Sequence, residues 1–194
     1  TKLYCKNIDV DKENQQCLAA LKGGLQIYEA RDVFRGTAET SSEGQGWLTL
    51  TANKTIPAKL HLKERAQVVL IRNLSGPLVN GSRGVVLTCG QRPVVQFDCG
   101  VTKVIDEHEW HFTVKGGSLT RVQFPLRLGW AITVHKSQGM SLSRAELSLQ
   151  GAFDFGQVYV ALSRVASMAG LWLRDKISQP LVRAHPKVLA YYFD

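Results

Sequence analysis

The sequence predicts an α/β fold: a parallel sheet with helices, interrupted by a small inserted antiparallel β-barrel. Three observations lead there. Segments of alternating strand and helix character occupy both ends of the 194-residue chain. Residues 58–127 run instead as short β-like stretches separated by Asn-Gly and Gly-Gly turns. The composition, 44% apolar and 21% charged, is ordinary for a globular protein and excludes disorder, collagen and coiled coil as whole-chain descriptions.

Taken in order, Leu3 and Tyr4 open a first strand. Asp9 is placed to cap a helix whose inner face carries Val10, Cys17, Leu18 and Leu21, and Gly23-Gly24 stops it. Leu25 to Ala30 forms the next strand. Residues 31–56 hold few large apolar side chains (Val33, Phe34, Trp47, Leu48, Leu50 and Ile56) and read as a long surface excursion. The barrel strands are expected at Gln67–Leu74, Val85–Thr88, Pro93–Phe97, Val101–Ile105, Glu109–Val114 and Leu119–Phe124, with turns at Asn80-Gly81, Gly84 and Gly116-Gly117. A stretch of this size suits an SH3-like or OB-like module. After Pro125 the α/β texture returns: an apolar run from Gly129 to Val134, a strand at Ala145–Leu149, a helix from near Asp154, and a strand at Leu171–Leu173. A last helix starts near Pro186 with Val188, Leu189 and Tyr192 facing inward.

Charge is unevenly spread. The formal net charge of +8 divides into 0 for residues 1–57, +5 for 58–127 and +3 for 128–194. A basic balance of this kind favours polyanionic partners, and the neutral first segment is expected to lie away from them. No apolar run approaches the ~18 residues of a membrane span, and no signal-peptide pattern opens the chain. Cys5, Cys17, Cys89 and Cys99 show no metal-site spacing, which fits a reduced, intracellular protein. The chain begins at Thr1 within a strand, and is expected to be an excised part of a longer protein.

Two constellations carry chemistry. The run Thr133 to Met140 ends an apolar strand in polar and flexible residues, and Thr133, His135, Lys136 and Ser137 all carry groups able to bond phosphate oxygens. A polar loop with one solvated Lys fits the same residues equally well. The second is Gly156 to Arg164, where Arg164 is the only charge between Asp154 and Arg174. Such a guanidinium complements a helix C-terminus or acts as an arginine finger toward a transferring phosphoryl group.

The segments Trp130-Ala-Ile-Thr-Val-His-Lys-Ser-Gln-Gly-Met-Ser-Leu142 and Gly156-Gln-Val-Tyr-Val-Ala-Leu-Ser-Arg164 resemble motifs V and VI of superfamily 1 helicases, in the form used by the petite-integration-frequency (PIF) DNA helicases. Leu62-Lys-Glu-Arg-Ala-Gln-Val-Val-Leu70, Asn73-Leu74 and Leu78-Val-Asn-Gly-Ser-Arg-Gly84 resemble that family's signature where its SH3-like insertion begins. Arg65 departs from the pattern, which has Gly before the Ala-Gln. Residues 31–56 match none of the motifs.

The resemblance implies a second RecA-like lobe (2A) made of residues 1–57 and 128–194, with residues 58–127 as the inserted SH3-like barrel (2B). It implies that Arg164 contacts the γ-phosphate of ATP, that Gly139 lies against the nucleotide, and that Gln157 and Tyr159 hold the motif VI helix, Gln157 also being a weaker nucleotide contact. Thr133, His135, Lys136 and Ser137 would face single-stranded DNA. ATP and Mg²⁺ would be held mainly by an amino-terminal lobe upstream of Thr1, since the chain has no G-x-x-x-x-G-K-[ST] loop and no acidic pair ending an apolar strand. The fragment alone should therefore not hydrolyse ATP. The family's activity is 5′-to-3′ translocation on single-stranded DNA, with unwinding of forked duplexes, RNA–DNA hybrids and G-quadruplexes in genome maintenance. The expected partners are single-stranded DNA, DNA forks and the missing lobe, with no membrane, in a monomer of the nucleus, the mitochondrion or both.

Three rival readings remain on the residues. Asp106 to His111 suggests a metal site, but strand alternation puts Glu107, Glu109 and His111 on one face and His108, Trp110 and Phe112 on the other. A serine hydrolase on Ser137 or Ser163 lacks the G-x-S-x-G context. A non-motor nucleic-acid-binding module built on a degenerate helicase lobe is the stronger alternative.

Overall fold

A computed structural model describes residues 1–36, 42–114 and 117–193. Along the chain lie β1 (Lys2–Tyr4), α1 (Asn7–Ala20), β2 (Gln26–Glu29), β3 (Arg31–Gly36), α2 (Ser42–Thr55), β4 (Lys59–Leu62), β5 (Gln67–Leu70) and β6 (Arg83–Cys89). There follow β7 (Pro93–Phe97), β8 (Thr102–Val104), β9 (His108–Val114), β10 (Gly117–Gln123), β11 (Leu126–Leu128) and β12 (Ala131–Thr133). A 3-10 turn at His135–Ser137 leads to β13 (Ala145–Ser148), α3 (Gln157–Leu162), β14 (Leu171–Leu173) and α4 (Pro186–Phe193). These elements form two compact units, residues 1–20 with 129–194, and residues 21–128. No helix among the described residues is long and apolar enough to cross a membrane.

The first unit is a parallel sheet of order β12-β1-β13-β14. Lys2 to Tyr4 pair with Ala131 to Thr133 on one side and Glu146 to Ser148 on the other. Successive residues of a strand point to opposite faces. Tyr4 and Ala131 accordingly pack with Val10 of α1, while Leu3, Ile132 and Leu147 pack with Val158 and Ala161 of α3. Burial on both faces fits β12, Ala-Ile-Thr, which is buried at all three positions, whereas β13, Ala-Glu-Leu-Ser, alternates buried and half-buried residues.

Helix α1 begins at Asn7, two residues before the expected cap, and Asp9 sits in its first turn, where a carboxylate suits the positive end of the helix. Its buried stripe is Val10, Asn14 and Leu18, not the all-apolar face expected. Asn14 is buried because β12 is the edge of the sheet. Its amide donates to the Ala131 carbonyl and accepts from the Ala131 N–H, each at 3.0 Å, so one side chain satisfies a peptide group that a further strand would otherwise pair.

The second unit is built differently. Its strands form a five-stranded antiparallel sheet (β11-β5-β6-β7-β8), a three-stranded one (β3-β10-β9) and the β2-β4 pair. The chain is thus mixed α/β with a parallel sheet and helices, but the closed SH3-like barrel is not found among the described residues: strong twist and turn signals specify antiparallel neighbours, not closure. Gly84 is a strand residue of β6, not a turn. A Cβ there would lie 2.6 Å from the Gln96 carbonyl oxygen on β7. The β9–β10 turn at Gly116-Gly117 has Gly116 outside the described residues. On β9, Trp110 is half-buried while Glu109 and His111 are exposed, the alternation anticipated for this strand.

Residues 31–56 are not a surface excursion. They contain β3 and α2, apart from residues 37–41, which lie outside the described residues. Leu48, Ala52 and Ile56 of this stretch are completely buried at helical spacing, with Leu48 and Ala52 against Leu119 of β10. Counting only large apolar residues overlooked the alanine in that stripe. Residues 21–57 belong to the second compact unit, which begins at Leu21. Polar anchors account for this. Gln123 on β10 donates to the Tyr28 carbonyl on β2 at 2.9 Å. Arg121, 0% exposed, makes a paired contact to Asp32 of β3 (Nε at 2.7 Å, Nη2 at 2.5 Å) and donates through Nη1 to Asn53 Oδ1 (2.6 Å) and the Ile56 carbonyl (2.8 Å).

Arg65, the departure from the family pattern, is the only non-glycine residue with positive φ among those described, at +68°. It occupies the third position of a turn in which the Ala66 N–H donates to the Lys63 carbonyl at 3.1 Å, the place where a type II turn demands a left-handed residue. The side chain is exposed, so nothing offsets the steric cost. Relief of ~1–2 kcal/mol of left-handed strain against ~0.5–1 kcal/mol of added glycine entropy makes Arg65→Gly stabilising by about 0.5 kcal/mol. Arg65→Val should destabilise by about 1 kcal/mol. Urea midpoints of the two variants check this; equal midpoints would contradict it.

The last helix also departs from expectation. Val188, Leu189 and Tyr192 are 48%, 46% and 73% exposed rather than inward-facing. Periodicity identifies an apolar face but not what covers it.

Candidate functional site

The carboxyl ends of β1 and β12 lie side by side in the parallel sheet, and a cleft of about 460 Å³ opens there. After β1 the chain contributes Cys5, Lys6 and Asn7, the last being the first residue of α1; after β12 it contributes Thr133, His135 and Lys136; Phe153 closes one wall. Parallel α/β sheets place ligands at this edge because strand ends and helix starts converge there without side chains filling the space.

Local hydrogen bonds set the β12 loop. Thr133, 4% exposed, accepts the Lys136 N–H on Oγ1 at 3.3 Å, which tightens the 3-10 turn. Lys136 Nζ reaches Asn7 Oδ1 at 3.4 Å across the cleft. His135 lies 3.6 Å from the Asp154 carboxylate through Nε2, with its ring centroid 6.0 Å from that of Phe153. Ser137 takes no part in the cleft: it is 0% exposed and its hydroxyl donates to the Val134 carbonyl at 2.7 Å. Burial holds the Cys5 thiol above its ordinary range, so it lines the cleft as a neutral group.

Under the sheet edge, Glu13 accepts from Lys2 Nζ at 2.7 Å and from the Tyr4 hydroxyl at 3.0 Å. The Lys2 contact, first, and the Tyr4 hydroxyl draw the Glu13 carboxyl below the usual range. Burial, and then the Glu13 contact, push Tyr4 up. Arg174 donates to the Tyr4 oxygen at 2.9 Å. This network fixes the end of β1 that leads into Cys5 and Lys6.

The second constellation stands apart from the cleft. Gly139 has φ +79° with open space where a Cβ would be, and the neighbouring Met140 carbonyl accepts from Arg164 Nη1 at 3.5 Å. Arg164 also donates through Nε to the Val160 carbonyl (3.1 Å) and through Nη2 to Ser163 Oγ (3.0 Å). In this chain its guanidinium therefore serves the C-terminal end of α3. Gly139 and Arg164 are brought together around Met140, while Thr133, His135 and Lys136 line the cleft. Gln157 is 3% exposed, and its Oε1 accepts the N–H groups of Phe153 (3.0 Å) and Asp154 (3.4 Å). Tyr159, expected to hold the helix, is 73% exposed and points outward.

Lys6, Asn7 and Phe153 were not anticipated as site residues. The first 57 residues, although net neutral, place Lys6 and Asn7 in the same cleft as Thr133 and Lys136. Charge totals average over a segment and carry no position. The available signal was the rule for strand ends, which needs to know that β1 neighbours β12.

Residues 48–88 match the family model described as the 2B domain of the DNA helicase Pif1. Over 199 aligned residues the chain is 43% identical to the ATP-dependent DNA helicase PIF1 of Xenopus laevis, covering 99% of this chain and 30% of that protein. The Pif1 helicase crystal structure from Candida albicans superimposes with a TM-score of 0.82 at 30% identity, covering 98% of this chain and 48% of that one. Pif1 from Bacteroides, at 25% identity and with 98% and 44% coverage, matches both as the ADP-AlF4 complex (TM-score 0.73) and bound to single-stranded DNA (TM-score 0.70). The chain thus spans 30% of the length of the Xenopus relative.

Proposed function

We propose, from the premise that the chain belongs to the PIF1 family of DNA helicases, that it is the carboxy-terminal half of an ATP-dependent motor that translocates 5′ to 3′ on single-stranded DNA. In this reading residues of the first compact unit belong to the second RecA-like lobe (2A), and the antiparallel unit is the inserted 2B domain. The partner lobe, carrying the phosphate-binding loop and the Mg²⁺ site, lies outside this chain. The observation that carries the proposal is the shared cleft: Thr133, His135 and Lys136 at the end of β12 meet Lys6 and Asn7 at the end of β1. Cations and hydroxyl or amide groups of this kind suit a phosphodiester backbone and read no base sequence.

ATP supplies, when bound between lobes, the free energy that alternates the closed and open forms. Gly139, with open space on its left-handed backbone, and Arg164 beside Met140 fit the edge of such a site. The role of Arg164 is to release the Val160 and Met140 carbonyls, bonds of 3.1 and 3.5 Å, and to turn its donor fork to the γ-phosphate. Lys136 and Thr133 hold the strand while the lobes shift. Forked duplexes, RNA–DNA hybrids and G-quadruplexes are the proposed substrates, in genome maintenance in the nucleus or mitochondrion, by a monomer.

The full-length protein should hydrolyse ATP only with single-stranded DNA present. Lys136→Ala should weaken strand binding and flatten the slope of log K against log salt by about 0.7, the release of one counterion. Absence of DNA-stimulated hydrolysis would overturn the proposal.

A further inference from the structure

We infer that Phe153 is a stacking platform: one nucleobase of a bound single strand lies on its ring while Lys6 takes the adjoining phosphate. This rests on reading the cleft as a single-strand site and names what occupies its wall.

Phe153 is 59% exposed on the loop between β13 and α3. A ring left in water is unfavourable by roughly its transfer free energy, and this one is not a casual loop residue, because its backbone is fixed on both sides. Its N–H donates to Gln157 Oε1 at 3.0 Å, and its carbonyl accepts from Arg183 Nη2 at 3.3 Å. Gln157 is buried, and its carbonyl oxygen also takes the Asp154 N–H at 3.4 Å, so a core side chain is committed to holding this loop in place. The result is a rigid backbone presenting a free aromatic face. His135 stands beside it with an interplanar angle of 39°, which leaves the Phe153 face open rather than stacked.

Lys6 supplies the other half. Its stem runs along Gly151, where a Cβ would lie 3.5 Å from Lys6 Cε. No hydrogen bond or ion pair to its ammonium is found among the described residues. A volume of about 460 Å³ is within the range that small organic ligands occupy. An exposed ring held rigidly beside an uncommitted cation is the combination that binds single strands without sequence preference: the ring takes a base, the cation a phosphate.

The test uses the full-length protein and fluorescent oligothymidylate, with and without one abasic site stepped along the strand, titrated across a salt series. Phe153→Ala should lose about 10-fold in affinity at every salt concentration with an unchanged salt slope, and Phe153→Trp should restore it. Lys6→Gln should instead flatten the slope by about 0.7. The wild type should lose affinity when the abasic site reaches the cleft, and Phe153→Ala should lose nothing further there. Unchanged affinity in Phe153→Ala, or an equal abasic penalty in both proteins, would overturn the stacking role. If that happens while Lys136→Ala still weakens binding, the cleft remains a strand site and only the platform fails; if neither variant weakens binding, the reading of the cleft itself fails.

Discussion

Arg164→Ala in the full-length protein should lower DNA-stimulated ATP hydrolysis by about 10³-fold or more while single-strand affinity stays within about 2-fold. The split is expected because Arg164 is not among the residues that line the cleft; its guanidinium lies instead against the Met140 carbonyl, next to Gly139. Its present contacts, to the Val160 and Met140 carbonyls and Ser163 Oγ, are those of a helix-terminal cation, and that role is worth only ~0.3–1 kcal/mol. Loss of the cap alone would lower the melting temperature slightly and leave turnover intact. Arg164→Lys separates the two roles further: it keeps a cation at the helix end but loses the planar fork, so stability should be retained and hydrolysis should not. Steady-state ATPase, strand binding and thermal unfolding, measured on both variants, decide the matter. Retained ATPase in Arg164→Ala would reduce Arg164 to a helix cap and overturn its role toward the γ-phosphate.

The largest expected effect on stability belongs to Arg121. Arg121→Met removes a guanidinium that is 0% exposed and satisfies Asp32, Asn53 and the Ile56 carbonyl together. Breaking one side of such a pair leaves the other charge uncompensated and costs about 3–5 kcal/mol, a large part of the ~5–15 kcal/mol that holds a domain folded. Asp32 keeps 24% of its side chain exposed, so water partly solvates the orphaned carboxylate and the loss should fall near the lower bound. Replacing both partners, Arg121→Met with Asp32→Leu, should recover part of it, since no buried charge then remains unpaired. Urea unfolding followed by tryptophan fluorescence reports the change. A single-variant loss under 1 kcal/mol would show that the contact is replaceable by solvent.

Arg121 also illustrates what was not legible in the residues. In sequence it is one basic side chain on a strand between Thr120 and Val122, counted toward a positive surface. In the structure it is the bolt joining β10 to β3 and to the end of α2. Asn14 and Gln123 are of the same kind: polar residues buried because each completes a backbone group left unpaired, by the edge of β12 in one case and by β2 in the other. Hydrophobic periodicity assigns polar residues to the outside and cannot see them. A different oversight lost α2, where the small Ala52 does the work of a larger apolar side chain. The antiparallel strands show the opposite case. Pro93–Phe97 was placed to the residue, because β-branched runs between turns record local conformation directly.

By itself the sequence determined that this protein is α/β with an antiparallel stretch between its ends, that a strand near residue 130 ends in Thr133, His135 and Lys136, and that Arg164 is a solitary charge in an apolar segment. These are local properties: each element's periodicity, turn residues and motif spacing are written within a dozen neighbouring positions. Tertiary structure alone decided that β1 lies against β12, and so that Lys6 and Asn7 share a cleft with Thr133 and Lys136, that Phe153 forms its wall, and that Ser137 is excluded from it. Those outcomes depend on which distant strands pair and which buried polar groups find partners. Both are settled by the free energy of the whole chain, not of any one segment.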